Sequence, residues 1–183
     1  MKKLMVILVA AAMAMATQAA TFSWKTTTTG KLYGAGSTTL LASGTAYLFD
    51  SATVSQQALL TAVLAGTDIS TLSYASSADV AAGAIANTTF EVPAGYDAGD
   101  SFSGYLAVID GSNVFISDTK SATAPATGNA AMSFNVKASS QAAAMTSTSF
   151  TSAGWYTAAV PEPTSGLLML VGLAGLALRR RRA

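Results

Sequence analysis

The stretch FSGYLAVIDGSNVFIS, residues 102–117, constrains the architecture of this chain more than any other segment. Two apolar runs flank Asp110-Gly111-Ser112-Asn113. Asp-Gly suits the positive-φ positions of a tight hairpin turn, because glycine has no Cβ penalty there and aspartate tolerates left-handed geometry. The spacing therefore predicts Tyr105–Ile109 paired antiparallel with Asn113–Ser117. Thr45–Phe49 is a further expected strand, ending at Asp50-Ser51. Thr88–Val92 alternates, with Phe90 and Val92 on one face and Thr89 and Glu91 on the other. Met132–Val136 repeats the pattern, setting Met132, Phe134 and Val136 against Ser133 and Asn135. A period of two with small polar partners is what a half-buried strand requires.

One segment departs from this pattern. SQQALLTAVLAG, Ser55 to Gly66, places Leu59, Leu60, Val63 and Leu64 at helical spacing, with Ser55 as N-cap and Gly66 as terminator. Lys120–Asn129 and Ser139–Ser152 are poor in large apolar residues and read as loops, the second with a weak alanine helix across Ala142–Met145. No internal repeat and no domain boundary is visible inside residues 21–160. The expected fold class is all-β: a β-sandwich-like antiparallel domain with one short helix. An α+β domain is the main competitor.

Composition matters here chiefly through what is missing. The 183 residues include no cysteine and no histidine. The core must hold by packing alone, and hydrolase triads that need histidine and zinc sites built on Cys or His are excluded. No cofactor is expected. Residues 21–160 hold four lysines (Lys25, Lys31, Lys120, Lys137), no arginine and eight acids, a net charge of −4. Such a body has no electrostatic footprint for nucleic acid.

The residues that could carry chemistry are few. Asp97, Asp100, Asp110 and Asn113 are oxygen ligands of the kind that binds calcium, although their spacing matches no D-x-D-x-D-G loop and turn chemistry also explains them. A two-carboxylate glycosidase would need a pair of acids meeting across a cleft. Trp24, Trp155 and several tyrosines could stack on sugar rings. Each tryptophan could equally anchor an end strand in the core.

Both ends read as processing segments. Lys2-Lys3, the apolar run Leu4–Ala16 and the small residues up to Ala19 and Ala20 form a secretory signal peptide, cut after Ala19 or Ala20. At the other end, thirteen apolar or glycine residues from Gly166 to Leu178 would rise ~20 Å as a helix. That is short of the ~30 Å hydrocarbon core, so they make a marginal transmembrane helix. Arg179, Arg180, Arg181 and Arg182 follow and form a basic stop that resists translocation.

Pro161-Glu162-Pro163, the short Leu/Gly-rich segment and the terminal arginine cluster together resemble the PEP-CTERM sorting signal. The resemblance implies recognition and cleavage by an exosortase, an integral-membrane protease of Gram-negative-type bacteria. It also implies transient inner-membrane insertion, then residence on the outer surface or in an extracellular, exopolysaccharide-rich biofilm matrix. The expected layout is a signal peptide (1–20), an exported body (21–160) and a sorting signal (161–183). The expected role is a non-enzymatic structural or adhesive partner of exopolysaccharide, processed by signal peptidase and exosortase. A carbohydrate-binding module is the main alternative, ahead of a calcium-dependent adhesin or a glycosidase.

Overall fold

In the computed structural model, residues 20–157 are described. Ten strands form two sheets. The smaller has the order β5-β1-β9, from β1 (Thr21–Thr26), β5 (Thr88–Glu91) and β9 (Asn129–Phe134). The larger runs β10-β7-β6-β2-β3-β4. It uses β2 (Ser43–Asp50), β3 (Ser76–Ala81), β4 (Ala84–Ile85), β6 (Ser101–Asp110), β7 (Asn113–Ile116) and β10 (Gly154–Thr157). A seventh strand of this sheet, β8 (Lys120–Thr123), lies beside the first half of β6. All pairings are antiparallel except β1 with β9.

The hairpin forms, with Ala107 opposite Ile116 and Asp110 opposite Asn113. Its two loop residues are Gly111 and Ser112, so the expected Asp-Gly pair is shifted by one. Positive φ falls on Gly111 (60°) and not on Asp110 or Ser112, the pattern of a II′ turn, which needs glycine at its first central position. The helix also forms: α1 spans Gln56–Leu64, and the Ser55 hydroxyl accepts from the Ala58 N–H at 3.1 Å.

Three expectations are corrected. The segment read as a loop from Lys120 contains β8, because a long neighbouring strand supplies backbone partners that small side chains neither help nor hinder. The second helix, α2, occupies Lys137–Ser140 instead of Ala142–Met145. The domain is therefore mixed, dominated by antiparallel sheet but carrying two short helices where one was expected. The third correction concerns the transmembrane helix: among the described residues no helix is long and apolar enough to cross a membrane. Residues 166–178, where it was expected, lie outside the described residues, as do residues 1–19.

Alternation along β2 and β6 divides the interior into two apolar layers. Ala46, Leu48, Leu106 and Val108 face Phe22, Trp24, Met132 and Phe134 of the small sheet. Phe49, Tyr105 and Ala107 face the other way and are covered by Leu59 and Leu60 of α1, Ile69 and Tyr156. Phe22 centres the first layer, with ring centroids 5.0 Å from Phe102 and 5.7 Å from Phe90. Tyr96 closes one end of that layer against Phe102 at 5.4 Å, and its hydroxyl donates to Asp50 Oδ2 at 2.9 Å.

Burial, and next the bond to Asp50, push the Tyr96 phenol up to about 12 from its ordinary 10.0. A raised phenol pKa favours folding while the group is protonated, so its contribution is complete below pH 10 and is lost as pH rises towards 12. Urea unfolding between pH 8 and 12 is expected to show stability declining above pH 10, with a shallower decline in Tyr96→Phe.

Candidate functional site

Both tryptophans are fully buried. The Trp24 indole N–H donates to Ser76 Oγ at 3.0 Å, tying the small sheet to β3 of the large one. The Trp155 N–H is shared between the carbonyls of Ser140 (2.8 Å) and Tyr33 (3.1 Å), and its ring packs edge-on against Phe115 at 5.5 Å. Neither ring face is open to a sugar, which corrects the stacking role considered for Trp24 and Trp155. Large aromatic rings gain most from burial, and each indole finds a partner for its one polar atom inside.

The candidate calcium ligands are not assembled either. Asp100 accepts from the Asp97 N–H at 2.8 Å, closing the turn before β6. Asp110 and Asn113 flank the turn after β6, where Asn113 Oδ1 accepts from the Thr157 hydroxyl. A ten-residue strand separates the two pairs by roughly 30 Å, too far for one ion. Among the described residues no group of three or more His, Cys, Asp or Glu side chains could hold a metal. Glu91 and Asp97 line one cleft of about 430 Å³, but both are solvent-exposed. A glycosidase acid needs a carboxyl shielded from water so that it stays protonated.

What the structure does present is an aromatic and polar strip on the helix-bearing side of the large sheet. Register places Tyr47 beside Ser77 and Thr45 beside Asp79, all on the same face. Tyr47 and Thr45 are half-buried, and Ser77 and Asp79 are exposed. Tyr74 stands at the rim, 40 % exposed, held edge-on to Tyr47 at 5.0 Å and to buried Phe49 at 6.4 Å. The backbone fixes it there, since the next residue, Ala75, donates its N–H to the Leu48 carbonyl at 2.8 Å.

Asp68 adds a carboxylate beside this strip. It caps the turn Ile69–Thr71 by accepting from the Ser70 N–H at 2.9 Å, which holds its pKa below the usual carboxylate value. Desolvation, then the charge of Asp68 and the neighbouring Tyr74, raise the Tyr47 phenol. The Tyr47 phenol thus remains a neutral donor at physiological pH, beside an ionised acceptor. Sugar rings are recognised by this combination of aromatic surface and hydrogen-bonding groups. Sequence reading missed Tyr47 and Tyr74: in TAYLFD both faces of the strand are apolar, so period alone does not say which aromatic stays uncovered.

The remaining signals lie in the tail. The protein-family model described as the PEP-CTERM protein-sorting motif matches residues 159–182. This tail is a PEP-CTERM sorting motif. The match takes in Pro161, Glu162, Pro163 and Arg179–Arg182, all outside the described residues, and leaves the β body uncovered. No curated protein and no solved structure matches the chain. A PEP-CTERM motif is a sorting determinant without catalytic function and is the mark of an exosortase substrate. The chain bearing it is exported and surface-directed.

The two aromatic classes should separate experimentally. Trp155→Ala is expected to cost about 3–5 kcal/mol in urea unfolding. Tyr74→Ala is expected to cost only about 1 kcal/mol, the scale of its edge-on contacts.

Proposed function

We propose that this protein is an exported structural or adhesive component of the cell surface or extracellular matrix, and that residues 21–160 associate with exopolysaccharide. The observation that carries the reading is the PEP-CTERM motif at 159–182 attached to a β-sheet-dominated body. The body is read as sandwich-like, from the apolar layer that both sheets share. A carbohydrate-binding module is the second reading, favoured by the strip of Tyr47, Tyr74 and Asp68.

Processing follows from the layout of signal peptide, body and sorting signal (161–183), with the first boundary falling at Ala19 or Ala20. Signal peptidase cuts after Ala19 in this reading, because the Ala20 carbonyl accepts from the Val92 N–H at 3.2 Å and extends the pairing of β1 with β5. A cut after Ala20 would delete that bond. Exosortase then acts at or near Pro161-Glu162-Pro163, and the arginine cluster leaves with the tail.

Intact-mass measurement on protein from the native host, with and without its exosortase, tests the processing. The expected species begins at Ala20 and ends near Pro161–Pro163. Mature surface protein still carrying Arg179–Arg182 would overturn the cleavage. For the body, a glycan array is expected to show binding that Tyr74→Ala weakens roughly three- to tenfold, the value of one aromatic contact.

A further inference from the structure

Half of the body's lysines fall within seven residues, in KTTTTGK from Lys25 to Lys31. This segment leaves the end of β1 and turns back across the junction of the two sheets. It frames a cleft of about 450 Å³ lined by Lys25, Lys31, Thr26–Thr28, Ser133 and the backbone-paired Ala84-Ile85 of β4, with no carboxylate in its wall.

The turn is anchored at both ends. Thr27 donates its N–H to the Phe134 carbonyl at 3.0 Å, and Leu32 donates to the Gly83 carbonyl at 2.7 Å. Gly30 lies so close to β9 that a Cβ would collide with Thr27 Oγ1 and with Asn135 Cα, so only glycine lets the turn settle there. The Lys31 carbonyl accepts from the Ser140 hydroxyl of α2 at 3.2 Å, and Lys25 stands beside Ser133 in the β1–β9 register. Two lysines are thus carried on fixed backbone in the lining of one cleft.

One buried hydroxyl lies within the same turn. Thr27 Oγ1 is the one buried side-chain oxygen or nitrogen among the described residues without a hydrogen-bond partner. Such a group costs free energy unless something satisfies it. Its residue lines the lysine-framed cleft, while the oxygen itself packs beneath Gly30 and braces the turn.

We propose that this cleft binds the anionic group, carboxylate or sulfate, of an acidic polysaccharide. The inference rests on the exopolysaccharide reading above and names the ligand class at a site distinct from the tyrosine strip. The two ammonium groups neutralise the oxyanion, and the exposed Thr28 and Ser133 hydroxyls bond its remaining oxygens or the adjoining sugar hydroxyls. A sugar chain fits better than nucleic acid, because the body carries a net charge of −4 and no arginine, and so repels a densely charged polymer outside this cleft.

The test is calorimetric titration of the protein isolated from its host with oligogalacturonate, with a neutral glucose oligosaccharide of equal length, and with free acetate. Oligogalacturonate is expected to bind more tightly than either comparator, and to weaken as salt is raised to about 0.5 M. Lys25→Gln and Lys31→Gln should each weaken it roughly tenfold, the loss of one charge-assisted contact. The double Lys→Arg variant should retain binding. The double variant Lys120→Gln/Lys137→Gln, with twice the change of net charge placed elsewhere, should bind unchanged, and circular dichroism checks that every variant is folded. Acidic-sugar binding insensitive to Lys25 and Lys31, or equal binding of the neutral sugar, overturns this inference alone and leaves the exopolysaccharide reading standing. Acetate binding as tightly as the oligosaccharide shows a bare anion site and overturns the polysaccharide assignment. Binding of neither sugar overturns the inference together with the reading beneath it.

Discussion

Strand β6 is covered on both faces and paired on both edges, and the rest of the domain is arranged around that condition. Phe102, Leu106 and Val108 point into the layer shared with the small sheet, while Tyr105 and Ala107 point under α1. One edge is taken by β2, and the other is divided between β8 and β7. The buried stretch of β6, Gly104–Val108, must satisfy its backbone groups through its neighbours, since water cannot reach them. Even the poorly apolar segment at Lys120 is drawn into the sheet by this demand. Gly104 sits where β6 passes closest to its surroundings: a Cβ there would lie 2.9 Å from the Phe102 ring and 3.0 Å from Leu48.

The small sheet depends on the large one through two polar ties as well as through apolar contact. Trp24 donates across the layer to Ser76, and the buried Thr26 hydroxyl accepts from the Ile85 N–H at 3.0 Å. Both residues lie at the end of β1 from which KTTTTGK departs. The same ties that close the core thereby fix the lysine cleft at the junction of the sheets. The tyrosine strip lies on the other face of the large sheet, beyond the reach of the small one. A matrix protein with sugar contacts on two opposed faces would have the geometry to join neighbouring glycan chains.

Much of the fold was legible because the signals were local. Ser55 and Gly66 bracket α1, Gly111 turns the hairpin, and Met132 and Phe134 are buried as their alternation requires, although the strand stops at Phe134 and Val136 already begins α2. The candidate sites were less legible. Trp24 and Trp155 have the chemistry of sugar-stacking residues, but burial depends on what packs over them, and that comes from strands distant in sequence. Asp97, Asp100, Asp110 and Asn113 look like a ligand set only until the length of β6 is placed between them.

By itself the sequence determined the destination and the local grammar. The sorting motif, the hairpin and the capped helix are all written in contiguous residues, where side-chain chemistry and backbone preference act without distant partners. Tertiary structure alone decided the parallel pairing of β1 with β9, the strand status of β8, and which aromatic rings stay at the surface. It also brought Lys25, Lys31, Ser133 and Ile85 around one cleft. Those outcomes depend on contacts between segments up to about a hundred residues apart, and such contacts form only when apolar burial closes the two sheets on each other.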